Sequence, residues 1–191
     1  MADTRITLFK RPLLAGALAA AATAAAPTAA QAASDIFLRL DGIQGESVDA
    51  KHKSEIDVLS FSLGFVNQLA GGTGGGGGAG KVSCGDVNLV KNIDRSSPSL
   101  ISSVMTGKHI KSGVLTFTTG GAGGPTYYTL AMTDVIATSI VQSDSAGGPK
   151  ITEQLTLNAS AFSFRYRPQN PNGSLGATVR FDFDCKANKA G

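Results

Sequence analysis

Apolar and polar residues alternate along several segments of this chain, and this alternation constrains the fold more than any other feature of the sequence. A period of two is typical of β-strands with one buried face. In the clearest segment Leu59, Phe61, Leu63 and Phe65 share one face, with small residues between them. Similar alternation occurs at residues 36–40, 82–93, 114–118, 127–141, 151–166 and 178–184. With turns rich in Gly, Pro and Asn between them, these segments predict a mainly antiparallel barrel or sandwich.

Two of these segments are irregular. In residues 82–93 the alternation slips at Gly85, where we expect a bulge. In residues 151–166 the apolar face changes partway: Leu155, Leu157, Ala159 and Ala161 share one face, and Phe162, Phe164 and Tyr166 share the other. A bulge near Ala161 would restore a single buried face. Otherwise both faces are covered, one by the core and one by a partner.

One helix is predicted among the strands. Ser97 can cap its N-terminus, Pro98 suits the first helical position, and Gly107 suits a left-handed stop. Between them, helical spacing groups four apolar residues into one stripe: Leu100, Ile101, Val104 and Met105. We expect this stripe to dock the helix on the barrel and to bind no cofactor.

The first 32 residues have the three-part order of a secretory signal peptide. Arg5, Lys10 and Arg11 form a basic region, residues 13–26 are mostly Ala and Leu, and Ala30-Gln31-Ala32 has the small-x-small form of a cleavage site. An apolar run of about 14 residues is too short to span a membrane, which takes roughly 20. We therefore predict a signal peptide at residues 1–32, a mature domain at residues 33–191, and no membrane span after cleavage.

Removing 32 of the 191 residues leaves 159, enough for one domain with its own core. The removed segment carries three cations and one anion, so the formal net charge falls from +3 to +1. The sequence has no basic stripe with interleaved aromatic residues, and we expect no nucleic-acid partner.

Two cysteines remain, Cys84 and Cys185. In an exported protein an even count favours a disulfide, and a closed loop of about 100 residues would stabilise the fold by about 4–5 kcal/mol in the chain-entropy model. The alternative is two buried thiols that pack as small apolar side chains. Cys185 continues the apolar face of Val179, Phe181 and Phe183, which fits either interpretation.

The glycine run contains a partial P-loop motif: residues 75–81 match the first seven positions of a phosphate-binding P-loop. The eighth position, which should be Ser or Thr, is Val82. A P-loop also leads into a helix whose amides cradle phosphate, whereas the residues here alternate like a strand. We interpret the run as a loop between two strands, where glycine gives the backbone freedom.

No residue pattern indicates a catalyst or a metal site. His52 and His109 are far apart in sequence, lack the spacing of metal ligands and are expected to be solvated loop residues. No serine has a nucleophile-elbow pattern. Asp182 and Asp184 share a strand face with Arg180, which is typical of a solvated polar face. We therefore expect a non-enzymatic protein without a cofactor or metal.

The order of several segments resembles the haemolysin co-regulated protein (Hcp) family of bacterial type VI secretion. The segments are residues 35–40, Gly-Ile-Gln-Gly-Glu-Ser at 42–47, Ile-Asp-Val-Leu-Ser-Phe-Ser-Leu-Gly at 56–64, Gly-Gly-Gly-Ala-Gly-Lys-Val at 76–82, Lys-Asn-Ile-Asp-Arg-Ser-Ser-Pro-Ser-Leu at 91–100 and Ser-Val-Met-Thr-Gly-Lys-His at 103–109. Each motif is weak alone, but together and in this order they are specific and cover nearly the whole mature chain.

The resemblance implies an antiparallel β-barrel of two sheets with one flanking α-helix, assembled as a homo-hexameric ring with a central pore. In the family such rings stack into a tube, and secretion-system or effector proteins are partners. The loop after the second strand would contact a neighbouring subunit or ring through Asn67, Gly71, Gly77, Gly80 and Lys81. The helix residues Pro98, Leu100, Ile101, Val104 and Met105 would flank the barrel and could line the pore.

The signal peptide adds export to this expectation, because tube-building members of the family are made in the cytosol without one. The leading interpretation is a ring-forming subunit that is exported to the periplasm or beyond, and its part in a sheath-driven tube stays open. The alternative is an exported, monomeric binding module of the cell envelope that uses the same barrel. An enzyme would need an appended catalytic domain, and the sequence has no domain-sized segment after Gly176.

Overall fold

The computed structural model describes residues 34–68, 81–144 and 150–191. Within these ranges the elements in chain order are β1 (Ser34–Leu40), β2 (Ile56–Val58), β3 (Ser60–Ser62), β4 (Phe65–Asn67), β5 (Val82–Cys84), β6 (Val87–Asn92), α1 (Ser97–Thr106), β7 (His109–Thr119), β8 (Thr126–Ser143), β9 (Thr152–Tyr166), β10 (Val179–Asp184) and β11 (Lys189–Ala190). The predicted signal peptide and most of the glycine run lie outside the described residues.

The strands form a barrel because their antiparallel pairing closes on itself. β1 pairs with β7, β7 with β8, β8 with β9, β9 with β6, and β6 with β3. β3 follows β2 directly in the chain, and β2 pairs back with β1. A second, two-stranded sheet is made by β4 and β5. The predicted class, an antiparallel barrel of two sheets with one flanking helix, is confirmed.

A corner crosses three adjacent strands of the barrel wall. In each of them two successive buried residues lie three positions apart instead of two: Ile110 and Gly113 in β7, Met132 and Val135 in β8, Ala159 and Phe162 in β9. Asp134 lies at the centre of this corner with a positive φ of 52°. The pairing of β8 with β9 keeps its register across it, so the strands bend there together.

The corner resolves the change of face predicted for residues 151–166. Leu155, Leu157 and Ala159 are buried on one side of it and Phe162 on the other, so a single face points into the core. The two residues between Ala159 and Phe162, Ser160 and Ala161, are only half-buried. A partner on the second face is therefore not needed to explain the pattern.

The stretch at residues 56–65 also changes face. Ile56 and Val58 are buried, Phe61 and Leu63 pack against the core, and Leu59 between these pairs is 56 % exposed. The prediction that Leu59 shares a buried face with Phe61 is wrong, because the chain turns there when it passes from its pairing with β1 to its pairing with β6.

Gly85 separates two strands and does not form a bulge within one. β5 belongs to the small sheet and β6 to the barrel. The Gly85 N–H donates to the Gly64 carbonyl at 2.9 Å, and a Cβ at Gly85 would lie 2.3 Å from that oxygen. Only glycine allows this approach, so Gly64 and Gly85 form the base of the β4–β5 hairpin.

Helix α1 begins at Ser97, one residue earlier than an N-cap at Ser97 would require, and its N-cap is Ser96. The Ser96 side chain makes no capping bond, and the Ser97 hydroxyl donates to the buried Glu153 carboxylate. The helix ends as predicted at Gly107, which has a φ of 64°. Leu100 is fully buried and Val104 packs on the core, whereas Met105 is 81 % exposed. Met105 lies about 140° around the helix from Leu100, so a single stripe cannot include both.

His52 is buried, contrary to the predicted solvated position. Its ring stacks on Phe37 at a centroid distance of 4.3 Å, and its Nδ1 lies 3.0 Å from a Glu55 carboxylate oxygen. Asp49 holds this loop in place by accepting hydrogen bonds from the N–H groups of Lys51, Gly123 and His52 at 2.8, 2.6 and 3.1 Å. The bonds from Lys51 and Gly123 contribute most to lowering the pKa of Asp49 below its ordinary value.

Candidate subunit-contact surfaces

The two ends of β9 have different neighbours, and the difference creates an uncovered apolar surface. Its first half pairs with β6 inside the closed barrel, and its second half pairs with β10. Among the described strands, β10 therefore projects from the barrel beside β9 and the two-residue strand β11. In this register Phe183 lies opposite Phe162 and Phe181 opposite Phe164, so all four rings share the core-facing side of the sheet.

Burial of these rings falls steadily away from the barrel. Phe162 is 2 % exposed, Phe164 is half-buried, and Phe181 is 53 % exposed. Neighbouring rings stack, with centroid distances of 6.1 Å between Phe164 and Phe181 and 6.3 Å between Phe181 and Phe183. The apolar face of the barrel thus continues onto β10 without a core to cover it.

The β4–β5 hairpin covers one side of this face. Phe65 packs edge-on against Phe162 at 5.5 Å and Phe164 at 5.7 Å. Between hairpin and sheet lies an open groove of about 330 Å³ with apolar lining, made by Phe65, Val82, Phe164, Phe181 and Phe183. Two exposed apolar side chains extend the surface at its margin: Tyr166 and Val179. We call this surface the aromatic groove.

Three contacts hold the hairpin in place. Cys84 of β5 and Cys185, directly after β10, are joined by a disulfide in the structure. The Val82 N–H donates to Asn188 Oδ1 at 2.9 Å. The third contact is the packing of Phe65. Within the described residues, neither strand of the hairpin forms a ladder with a barrel strand.

The predicted contact loop is described only at its two ends. Asn67 pairs with Val82 in the hairpin, and the Gln68 N–H donates to the Lys81 carbonyl at 3.2 Å. Asn67 and Lys81 are exposed beyond the aromatic groove. Gly71, Gly77 and Gly80 lie outside the described residues. Val82 begins a strand, which agrees with the interpretation that this run does not lead into the helix of a P-loop.

The helix residues have two kinds of position. Leu100 and Val104 face the barrel, Ile101 is half-buried, and Pro98 and Met105 face solvent. The flanking helix is thus present, and the side chains available to a pore or a partner are Pro98 and Met105, with Ile101 at the margin.

A buried ion pair anchors this helix to the barrel. Lys91 of β6 and Glu153 of β9 are 1 % and 0 % exposed, and their Nζ and Oε2 atoms lie 2.6 Å apart. Lys91 also contacts Asp94 at 2.9 Å, and the Ser97 hydroxyl donates to Glu153 at 2.7 Å. Gln142 donates to the second Glu153 oxygen at 2.7 Å. Burial alone would raise the pKa of Glu153, but the hydrogen bonds from Lys91, Gln142 and Ser97 outweigh it and lower the pKa.

The corner of the barrel carries a Ser–His–Asp set whose geometry differs from a catalytic triad. Asp134 accepts hydrogen bonds from His109 at 2.5 Å, Ser160 at 2.7 Å and Lys186 at 2.7 Å. The bond from His109 lowers the pKa of Asp134 most, followed by Lys186 and Ser160. In a triad the serine donates to histidine, whereas Ser160 donates to the carboxylate. His109 is paired with Asp134 at the surface, which the sequence spacing did not predict.

The two aspartates of β10 have structural partners. Arg180 donates to Asp182 at 2.6 Å, and Asp184 accepts the Ala187 N–H at 2.8 Å in the turn before β11. Among the described residues, no three His, Cys, Asp or Glu side chains are grouped to hold a metal ion. No helix in the same part of the chain is long and apolar enough to cross a membrane.

Comparison with known proteins identifies the family to which this barrel belongs. The family model described as "Type VI secretion system effector, Hcp" matches residues 37–166, from β1 to the end of β9. The chain belongs to the Hcp family. It is therefore related to the tube and effector proteins of type VI secretion.

Individual Hcp proteins match nearly over their full length. Protein hcp1 of Pseudomonas aeruginosa is 35 % identical over 158 residues, which cover 82 % of this chain and 98 % of the relative. A solved type six secretion system protein superimposes with a TM-score of 0.79 at 26 % identity and covers 83 % of this chain and 100 % of its own. Hcp1 from Salmonella typhimurium has a TM-score of 0.69 at 33 % identity, with coverages of 83 % and 99 %.

Sequence reasoning missed the aromatic groove of this Hcp protein. The alternation of Val179, Phe181 and Phe183 was visible, but it predicts a buried face and gives no information about what covers that face.

Proposed function

We propose that the mature chain is a structural subunit that assembles into a homo-hexameric ring and reaches the periplasm or the exterior through its signal peptide. The observation that carries the ring is the aromatic groove, an apolar surface continuous with the core and open to solvent. Family membership supports it, because the resemblance to Hcp proteins implies a ring. Tube stacking and contact with secretion-system or effector proteins belong to the same proposal.

The groove needs a cover for a physical reason. Burying apolar surface contributes about 25 cal/mol per Å², and contiguous exposed apolar patches mark interaction sites. The outer edge of β10 adds a second reason. In the described part of the chain, residues 179–181 have no ladder partner on the side away from β9. Unpaired main-chain groups at a sheet edge favour pairing with another chain.

The ring is tested by the mass of the protein in solution. The protein is produced from the full chain, recovered after processing and measured by light scattering during gel filtration, with electron microscopy of the same fractions. We expect six times the subunit mass and annular particles. A strictly monomeric species at high concentration, without rings on the grids, would overturn the proposal.

Export is tested separately by fractionating cells that express the full chain and sequencing the N-terminus of the product. We expect a periplasmic or extracellular protein that begins at Ala33, after cleavage behind Ala32. A cytosolic protein that keeps residues 1–32 would contradict export and leave the ring untouched.

The aromatic groove also supports a second candidate function, an exported monomeric module that binds an apolar segment of an envelope protein. Deleting residues 71–80 distinguishes the two, because this segment lies between the arms of the hairpin. Loss of binding to an envelope extract with an unchanged monomeric mass favours the module, and loss of the hexameric mass favours the ring.

A further inference from the structure

We propose that the Cys84–Cys185 disulfide is an oxidation-dependent latch, which docks the β4–β5 hairpin on the barrel and so restricts ring assembly to the chain that has left the reducing cytosol. The docking half rests on the structure of the hairpin alone. The assembly half rests on the proposed ring.

The hairpin is poorly anchored without the bridge. Its two strands pair only with each other among the described strands, and both connect to the barrel through glycine, Gly64 before β4 and Gly85 after β5. In the described part of the chain, its non-covalent contacts with the barrel side include one hydrogen bond, from Val82 to Asn188, and the packing of the Phe65 ring. Small units with few buried contacts open at low free energy.

The other end of the bridge is firmly held. The Cys185 N–H donates to the Ser160 carbonyl at 2.9 Å, which ties it to the barrel corner. Ser160 in turn donates to Asp134 at 2.7 Å. β11 pairs with β10 at Phe183 and Asp184, directly before Cys185. The bridge therefore joins a two-stranded hairpin with few non-covalent anchors to a residue, Cys185, that is hydrogen-bonded to the barrel corner.

The aromatic groove exists only while the hairpin is docked, because its walls come from both parts. Phe65 and Val82 belong to the hairpin, and Phe164, Phe181 and Phe183 belong to the barrel side. When the hairpin detaches, the groove loses the side formed by Phe65 and Val82, and Phe65 loses its contacts with Phe162 and Phe164. A second copy of the chain, which the proposed function places on this surface, then has no formed site to bind.

The chemistry is an ordinary thiol–disulfide exchange. The thiolate of one cysteine attacks one sulfur of an oxidant's disulfide, in a protein or in oxidised glutathione, forms a mixed disulfide and expels the oxidant's other sulfur as a thiolate. The thiolate of the second cysteine then attacks the cysteine sulfur of the mixed disulfide, which forms the Cys84–Cys185 bond and expels the oxidant's first sulfur as a thiolate. The oxidant takes up the two electrons, and the two protons lost by the cysteine thiols balance the two thiolates that it releases. In the cytosol the glutathione pool keeps such thiols reduced, and outside it they oxidise.

A passive staple is the competing explanation. A disulfide that closes a loop of 101 residues stabilises any fold by restricting the unfolded chain. A passive staple lowers the thermal stability when it is cut, but it leaves the folded hairpin docked at moderate temperature. The two explanations therefore differ in the folded state.

The experiment compares the oxidised protein from the full chain with its Cys84→Ala, Cys185→Ala double variant and with the oxidised protein after reversible reduction by dithiothreitol. Amide hydrogen exchange is read at Val66 and Ser83 in the hairpin and at Leu130 and Met132 in the barrel, and native mass spectrometry gives the assembly state. For the latch we expect hairpin exchange to accelerate on the order of tenfold or more with barrel exchange unchanged, since only the hairpin opens. We expect the hexamer to be lost together with this change and to return on reoxidation.

Slow barrel exchange shows in each sample that the fold is intact, and the reduction arm covers the case in which the double variant misfolds. Unchanged hairpin exchange together with an unchanged hexamer would overturn the latch and favour the passive staple. A monomeric oxidised protein would reject the ring and with it the assembly half, and the exchange rates would then decide the docking half alone.

Discussion

The closed barrel and the projecting β10 region are built from the same alternating pattern, and they differ in what covers the apolar side. In the barrel, side chains from seven strands meet, so Leu130, Leu155 and Leu157 are fully buried. At β10, within the described residues, the same side of the sheet meets the two three-residue arms of the β4–β5 hairpin, and Phe181 and Val179 are 53 % and 64 % exposed. Alternation therefore predicts that a strand has an apolar face, but the strand topology determines whether the same chain buries that face.

The polar groups of the two regions show the same contrast. Glu153 and Lys91 are buried, and each has further hydrogen-bond or ionic partners. The pair of Arg180 and Asp182 lies on the outer side of β10, and the arginine side chain is 60 % exposed. Removing one partner of the buried pair leaves an uncompensated buried charge, whereas removing one partner of the exposed pair leaves a charge that water can solvate.

The largest difference in stability between the two regions should come from breaking the buried ion pair of Lys91 and Glu153. Glu153→Ala leaves the Lys91 ammonium buried beside fewer acceptors, and we expect a loss of about 3–5 kcal/mol in the free energy of unfolding. Arg180→Ala, which breaks the exposed pair on β10, should cost about 0–1 kcal/mol. Urea denaturation of both variants measures the two values. Equal losses would contradict the distinction between the regions.

Truncating an apolar side chain to alanine should also lower the stability more in the barrel than on β10. Leu157→Ala removes a fully buried side chain and should lower the free energy of unfolding by about 2–5 kcal/mol. Phe181→Ala is expected to cost under about 1 kcal/mol when the subunit is monomeric, because half of that ring is already in solvent. The measurement is thermal or urea unfolding at a concentration too low for assembly. A cost at Phe181 as large as that at Leu157 would show that β10 belongs to the core.

The strands of the barrel could be predicted from sequence because each carries its own alternation. The corner could not, since it depends on the register that places residue 111 of β7, Asp134 of β8 and Ser160 of β9 on one line across the sheet. The ion pair was equally hidden, because Lys91 and Glu153 are 62 residues apart and each alone resembles a surface charge. Long-range register is the information that a single sequence does not display.

The contact surfaces were predicted only in outline. The capping residues and apolar spacing located the helix, and the family resemblance supplied its expected place beside the pore. The buried stripe is centred on Leu100 and Val104 and is bordered by serines, whereas Met105 lies about 140° around the helix from Leu100 and faces solvent. The proximity of Cys84 and Cys185 was compatible with the strand pattern without following from it, since the position of the β4–β5 hairpin depends on long-range packing.

The third effect, a dependence of stability on pH that arises from the buried Glu153, should be smaller than the effects of the two truncations. The pKa of Glu153 is lowered from an ordinary value of 4.5. Its ionised form therefore stabilises the fold above pH 4.5, and this contribution is lost as the pH falls through the lowered pKa. We expect a slope of up to about 1.4 kcal/mol per pH unit for this proton. The difference in the free energy of unfolding between the wild type and Glu153→Gln, measured from pH 7 to pH 3, should shrink in that window. A constant difference would contradict the assignment.

The central claim is that β10 presents an apolar face for a second copy of the chain, and native mass spectrometry of two neighbouring variants tests it most directly. Phe181→Ala changes the groove side of β10, and Arg180→Ala, the matched control, changes the opposite side of the same strand. We expect the Phe181 variant to be monomeric at a concentration where the wild type and the Arg180 variant are hexameric. A hexamer that tolerates the Phe181 change as well as the Arg180 change would contradict the claim.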